Sequence, residues 1–165
     1  MEQQKTSAGV YVLRVLFTLF TLGCVLFIFY NGLQEGSASG LRSAEVTQMI
    51  NAALARAGSQ LQLSEHTVRK LAHFTEYMLL GFVLMVTLRV YTRRLIAHIS
   101  WPMFFGLSIA VADEYMQAFQ PARTSSVHDV VIDFGGFLVG LGAALVLMLL
   151  IRAIALSVRG TAKGT

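Results

Sequence analysis

Four apolar runs, over residues 10–30, 71–91, 101–119 and 127–151, dominate this chain. A spanning helix needs roughly 20 mostly apolar residues, so 165 residues leave room for four spans and little else. Composition agrees. Hydrophobic residues make up 55% of the chain and charged residues only 13%, against about 25% charged in a soluble domain. The mean hydropathy is +0.63. The expected fold is a single-domain, all-α membrane protein over residues 1–165, a four-transmembrane-helix bundle. Cys24 is the single cysteine, which excludes an intramolecular disulfide and a cysteine metal site. The sequences TLGC and SAS loosely imitate lipoprotein and signal-peptide processing sites. However, the first run continues as VLFIFY and is longer than a signal-peptide core, which favours a retained anchor.

Between the first two runs the pattern changes. Val46, Met49, Ile50, Ala53, Leu54 and Ala57 recur at helical spacing, with Glu45, Gln48, Asn51 and Arg56 elsewhere on the wheel. This predicts a short amphipathic helix, too polar to cross, lying externally on the bilayer surface or on the bundle. Ser64 is placed to cap the second span, and Pro102 to open the third. SVHD, residues 126–129, matches a capping box at the fourth.

Charge gives a direction. Lys5, Arg14, Arg89, Arg93, Arg94, Arg152, Arg159 and Lys163 fall at one set of span ends with only Glu2 as a nearby acid. By the positive-inside rule both termini are expected in the cytoplasm. The net charge of +4 is then an orientation signal and carries no argument for nucleic acid. The opposite ends gather ionisable residues: Arg69, Lys70, His73, Glu76 and Tyr77 on the second span, Asp113, Glu114 and Gln117 on the third, Asp129 and Asp133 on the fourth. Arg69, Lys70, His73, Glu76 and Tyr77 make polar stripes centred on His73. Asp129, Asp133, Gly136 and Gly140 form one stripe in which acids adjoin small residues that allow close helix approach.

Ionisable groups inside spans cost roughly 2.5–3.5 kcal/mol each on insertion scales, and normally face a partner or a wet cavity. Plainer roles exist for some of them. Asp129 could cap a helix, Arg69 and Lys70 could grip lipid phosphates, Tyr77 could belong to an aromatic belt, and His128 is incidental at an exposed helix start. His73, Glu76, Asp113, Glu114 and Asp133 lie one or two turns inside, where capping and anchoring do not explain them.

The segments KLAHFTEYMLLG and DEYMQAFQPARTSSVHDVVIDFGG resemble the VanZ-like family of small membrane proteins, with its pattern K-x-x-H-F-x-x-Y-x-x-L-G followed by D-E-x-x-Q-x-F-x-P-x-R-x-x-x-x-x-D-x-x-x-N-x-x-G. The resemblance defines a core of about 69–140, with the N-terminal anchor and surface helix, 1–63, outside it. Lys70, His73, Tyr77, Asp113, Glu114, Gln117, Arg123, Asp129 and Gly136 occupy the pattern's polar and glycine positions, while Asp133 stands where the pattern often has Asn. The resemblance implies a link to glycopeptide resistance, since the family takes its name from a member associated with low-level teicoplanin resistance.

Two classes of function fit these residues. In the first, the chain is an enzyme at the extracytoplasmic face of a bacterial cytoplasmic membrane, acting on a lipid-linked or cell-envelope substrate. Its catalytic residues are then His73, Asp113, Glu114 and Asp129, and its substrate-binding residues Lys70, Glu76, Tyr77, Gln117, Arg123 and Asp133. No metal site is expected, because no HExxH motif or cysteine pair is present; a metal version would use His73 with Asp113, Glu114, Asp129 or Asp133. In the second class the cluster is a structural or recognition network for an anionic headgroup or a glycopeptide, without chemistry. The sequence names no cofactor and no oligomeric state.

Overall fold

The computed structural model describes residues 8–34, 36–120 and 125–161. The chain forms α1 (Ala8–Gly32), α2 (Gly36–Arg56), α3 (Glu65–Tyr91), a single 3-10 turn (Ile96–His98), α4 (Ser100–Gln117) and α5 (Val127–Thr161). Among the described residues there is no strand. Among the described residues three helices are long and apolar enough to cross a membrane: Ala8–Gly32, Glu65–Tyr91 and Val127–Val158. The third expected span is also a helix, but α4 ends in the polar DEYMQ and falls short of that composition.

Helix ends differ from the expected ones for local reasons. The fourth apolar run ends at Arg152, yet α5 continues because no glycine or proline interrupts RAIALSV. A charge ends hydropathy and leaves helical hydrogen bonding intact. The amphipathic helix likewise starts at Gly36, well before its apolar stripe, and runs for 21 residues. It ends where expected. Gly58 adopts φ +79, and the Ser59 amide returns to the Leu54 carbonyl at 2.9 Å, the closing bond of a Schellman motif. Asn51 then holds the loop on α2, donating to the Leu63 carbonyl at 3.0 Å and accepting from the Leu63 amide at 2.9 Å. Ser64 caps α3 by accepting from the Thr67 amide at 3.2 Å.

α3 is the central element, touching each of the other four α-helices and packing most extensively on α5. The two run parallel. Gly136 lies against the Phe74 backbone, Gly140 against the Met78 backbone and Gly81 against the Phe137 backbone, so the register is kept over two turns with almost no gap. Tyr77, Leu80, Met85, Ala110, Phe137, Leu141, Ala144 and Ile28 form the buried core. Phe137 also packs its ring on Gly106 of α4, where an added Cβ would lie 2.6 Å from the ring.

α1 runs antiparallel to α3, held at one end by Arg14, whose Nε lies 3.4 Å from the Val90 carbonyl and whose guanidinium stands over the Tyr91 ring. Thr18 bonds Tyr91 and Thr21 bonds Thr87, each at 2.9 Å. At the other end Asn31 donates to Glu76 at 2.9 Å. Since α3 and α5 are parallel, α4 returns the chain between them. The bundle therefore has a polar end, where α3 and α5 begin, and an arginine end, where α1 and α4 begin and α5 finishes.

Replacing a glycine at the α3–α5 crossing forces backbone apart, because the first atom added meets a carbonyl and not a flexible side chain. Gly140→Ala is expected to lower stability by about 1–3 kcal/mol, the usual cost of overpacking. Gly142→Ala, two residues away with open space around it, should be neutral or slightly stabilising from helix propensity. Thermal unfolding of both variants in the same detergent checks this, and equal behaviour would contradict the close crossing.

Candidate functional site

At the polar end, α3 points successive side chains at three different helices. Lys70 reaches α5, where its Nζ lies 2.8 Å from Asp129 Oδ1 and 3.4 Å from His128 Nδ1. Glu76 accepts from Asn31 of α1. Tyr77, fully buried, places its hydroxyl 3.4 Å from Asp113 Oδ2 and 3.5 Å from the Ile109 carbonyl of α4. Helical geometry explains the division, since residues three, four and seven apart share a broad face while each is rotated slightly from the last.

His73 lies at the middle of this face. One ligand-type atom from each of His73, Asp113 and Asp133 falls within 4.8 Å of the other two, so α3, α4 and α5 each give one member of a compact triad. The two acids are enclosed, Asp113 at 0% exposed and Asp133 at 1%. His73 is half-buried. Asp113 is fixed on several sides: Gln117 donates to its Oδ2 at 3.0 Å, and Gly32 of α1 lies directly against Oδ1, leaving no room for a Cβ. Among the described residues Asp133 Oδ2 has no hydrogen-bond partner.

This arrangement has two chemical capacities. An imidazole beside two enclosed carboxylates can exchange a proton with a bound molecule. The same spacing suits one imidazole and two carboxylate ligands on a divalent cation.

Two of the acids expected to be catalytic stand outside the triad. Asp129 pairs with Lys70, each side chain 28% exposed. Glu114, 5% exposed, accepts from the Ser126 amide at 3.0 Å. That bond revises the capping box expected from SVHD. Ser126 Oγ accepts from the His128 amide at 3.1 Å, but the return bond to the Ser126 amide comes from Glu114 of α4, which leaves Asp129 to meet Lys70. Arg123 lies outside the described residues.

Sequence reasoning overlooked Asn31 and Gly32. Both end the first apolar run, and NG there reads as a span terminus. The available signal was an amide side chain at the same depth as Glu76 on a neighbouring span.

Removing Asp113 would leave the buried Gln117 amide without its acceptor and the Tyr77 hydroxyl with the Ile109 carbonyl alone. Asp113→Ala is expected to lose about 3 kcal/mol or more. Asp129→Ala breaks a partly exposed ion pair and should lose about 1 kcal/mol or less. Thermal unfolding of the two variants decides, and a loss at position 129 as large as that at 113 would show that the ion pair is a main support of the bundle.

Residues 16–150 match the family model described as VanZ/LLP1. No curated protein and no solved structure matches the chain. The family match takes in most of α1, all of α2, α3 and α4 and the greater part of α5, including the portion of each that meets at the polar end. The chain belongs to the VanZ/LLP1 family.

Proposed function

We propose that the chain is a four-span protein of a bacterial cytoplasmic membrane, with both termini cytoplasmic and α2 external. Its polar end acts by general acid–base chemistry on a lipid-linked or envelope substrate at the extracytoplasmic face. The observation that carries this reading is a half-buried His73 within 4.8 Å of two enclosed carboxylates. His73 has the access that Asp113 and Asp133 lack, so it is the group that exchanges a proton with substrate. Asp113 and Asp133 orient its ring. Lys70, partly exposed beside the triad, and Arg123 supply positive charge for a phosphate or carboxylate. Glycopeptide resistance is the phenotype the family suggests for such an activity.

The antiparallel return of α4 supports the fourth span. Its 18 residues reach about 27 Å at 1.5 Å per residue, close to the roughly 30 Å of hydrocarbon. Its buried residues include Asp113, Glu114 and Gln117, so the groups that lower its hydropathy face protein instead of lipid. Substituted-cysteine labelling in a Cys24→Ser background should reach position 123 from outside and position 94 only after permeabilisation. The opposite pattern would place the triad in the cytoplasm and remove an envelope substrate.

A second reading rests on the cross-helix bonds Asn31–Glu76, Gln117–Asp113, Lys70–Asp129 and Ser126–Glu114. Here the cluster fastens the helices and recognises a ligand without reacting. His73→Asn separates the two. For an acid–base site this variant keeps insertion and stability within about 1 kcal/mol and lowers activity by about 10²- to 10⁴-fold, read as loss of the teicoplanin phenotype in an expressing strain. A fastening network loses stability instead. Asp133→Asn, which restores the family's more usual residue, should retain function if that position only orients His73.

A further inference from the structure

At the arginine end a cavity of about 650 Å³ opens between the end of α3 and the second half of α5. Its volume lies within the roughly 300–1,000 Å³ of small-molecule sites. Arg89 from the last turn of α3, Arg93 from the following connection and Arg152 from α5 all line it, together with Leu95, Leu145 and Met148. Three arginines thus line one hollow with an apolar wall.

Nothing in the described protein balances them. The ion pairs among the described residues are Lys70–Asp129 and His128–Asp129, both at the polar end. The described acids are Glu45, Glu65, Glu76, Asp113, Glu114, Asp129 and Asp133. Glu76 is the acid of α3 nearest this end in sequence, and 13 residues separate it from Arg89, about 20 Å along the helix. The carbonyls at the end of α3 offer partial charge, equivalent to about half a unit. Arg14 at the same end is different, since it is engaged by the Val90 carbonyl and the Tyr91 ring.

We infer that this hollow binds an anionic phospholipid of the surrounding membrane, its phosphate among Arg89, Arg93 and Arg152 and the start of its chains along Leu95, Leu145 and Met148. Guanidinium forks suit phosphate oxygens, and basic pockets between spanning helices collect anionic headgroups. The apolar wall selects an amphiphile over a free anion. The inference is independent of the triad and of the leaflet this end faces.

The test uses the full chain in neutral detergent, titrated separately with short-chain phosphatidylglycerol, short-chain phosphatidylcholine and inorganic phosphate, with apparent affinity read from the shift in unfolding temperature. Phosphatidylglycerol should bind at least tenfold more tightly than phosphatidylcholine. Each arginine near a membrane surface is worth about fivefold, or about 1 kcal/mol, so Arg89→Gln with Arg152→Gln should weaken phosphatidylglycerol roughly 25-fold and phosphatidylcholine, whose choline cancels the phosphate charge, by much less. Arg93→Gln, in the connection and outside the helices, should cost about fivefold and serves alone if the double variant does not insert. Equal affinity for the two lipids, or an unchanged preference in these variants, overturns the inference. A shift reproduced in full by inorganic phosphate overturns it as well, since the hollow would then hold an adventitious ion only.

Discussion

The near-contact of two backbones, α3 against α5, sets everything else at the polar end. With Gly136 on Phe74 and Gly140 on Met78, a residue on α5 faces one about 60 positions earlier on α3. That register brings Asp133 to His73 and Asp129 to Lys70. Larger residues at 136 or 140 would separate the axes, and the acids would be left in the bundle without the partners that compensate their burial. Asp129 also lies in the first turn of α5, where the helix dipole favours an acid.

α4 supplies the complementary half. It arrives antiparallel, so Asp113 and Glu114 sit near its own C-terminus, the unfavourable end for an acid. Each is compensated by a neighbouring donor. Glu114 becomes part of the cap of α5 through the Ser126 amide, and Asp113 accepts from Gln117 while closing against Gly32. A pair of adjacent acids therefore has two distinct structural duties, one tying the α4–α5 connection and one completing the triad. The neighbouring letters D and E conceal this difference.

Much of the arrangement was legible in the sequence because helical periodicity and hydropathy are local properties. The Asp129, Asp133, Gly136 and Gly140 stripe reads directly as a small-residue contact face, and Ser64 reads as a cap. Partners across helices are not local. Nothing in the spacing of Glu76 names Asn31, and nothing in SVHD reveals that an acid 12 residues earlier replaces its own return bond. The helix limits were missed for a related reason: hydropathy marks where lipid compatibility ends, at Arg152 or before Val46, whereas hydrogen bonding carries the helix on until a glycine or a cap intervenes.

The enclosure of the two triad acids constrains how the proposed chemistry could work. Asp113 and Asp133 are shielded from outside, so a substrate approaching the polar end meets His73 and Lys70 first. In such a site the acids act through the imidazole, fixing its orientation as it passes a proton. They do so from a region where water is scarce, which strengthens each interaction. Reactivity would then belong to the one member of the triad with access to the surface, and specificity to the cationic groups around it.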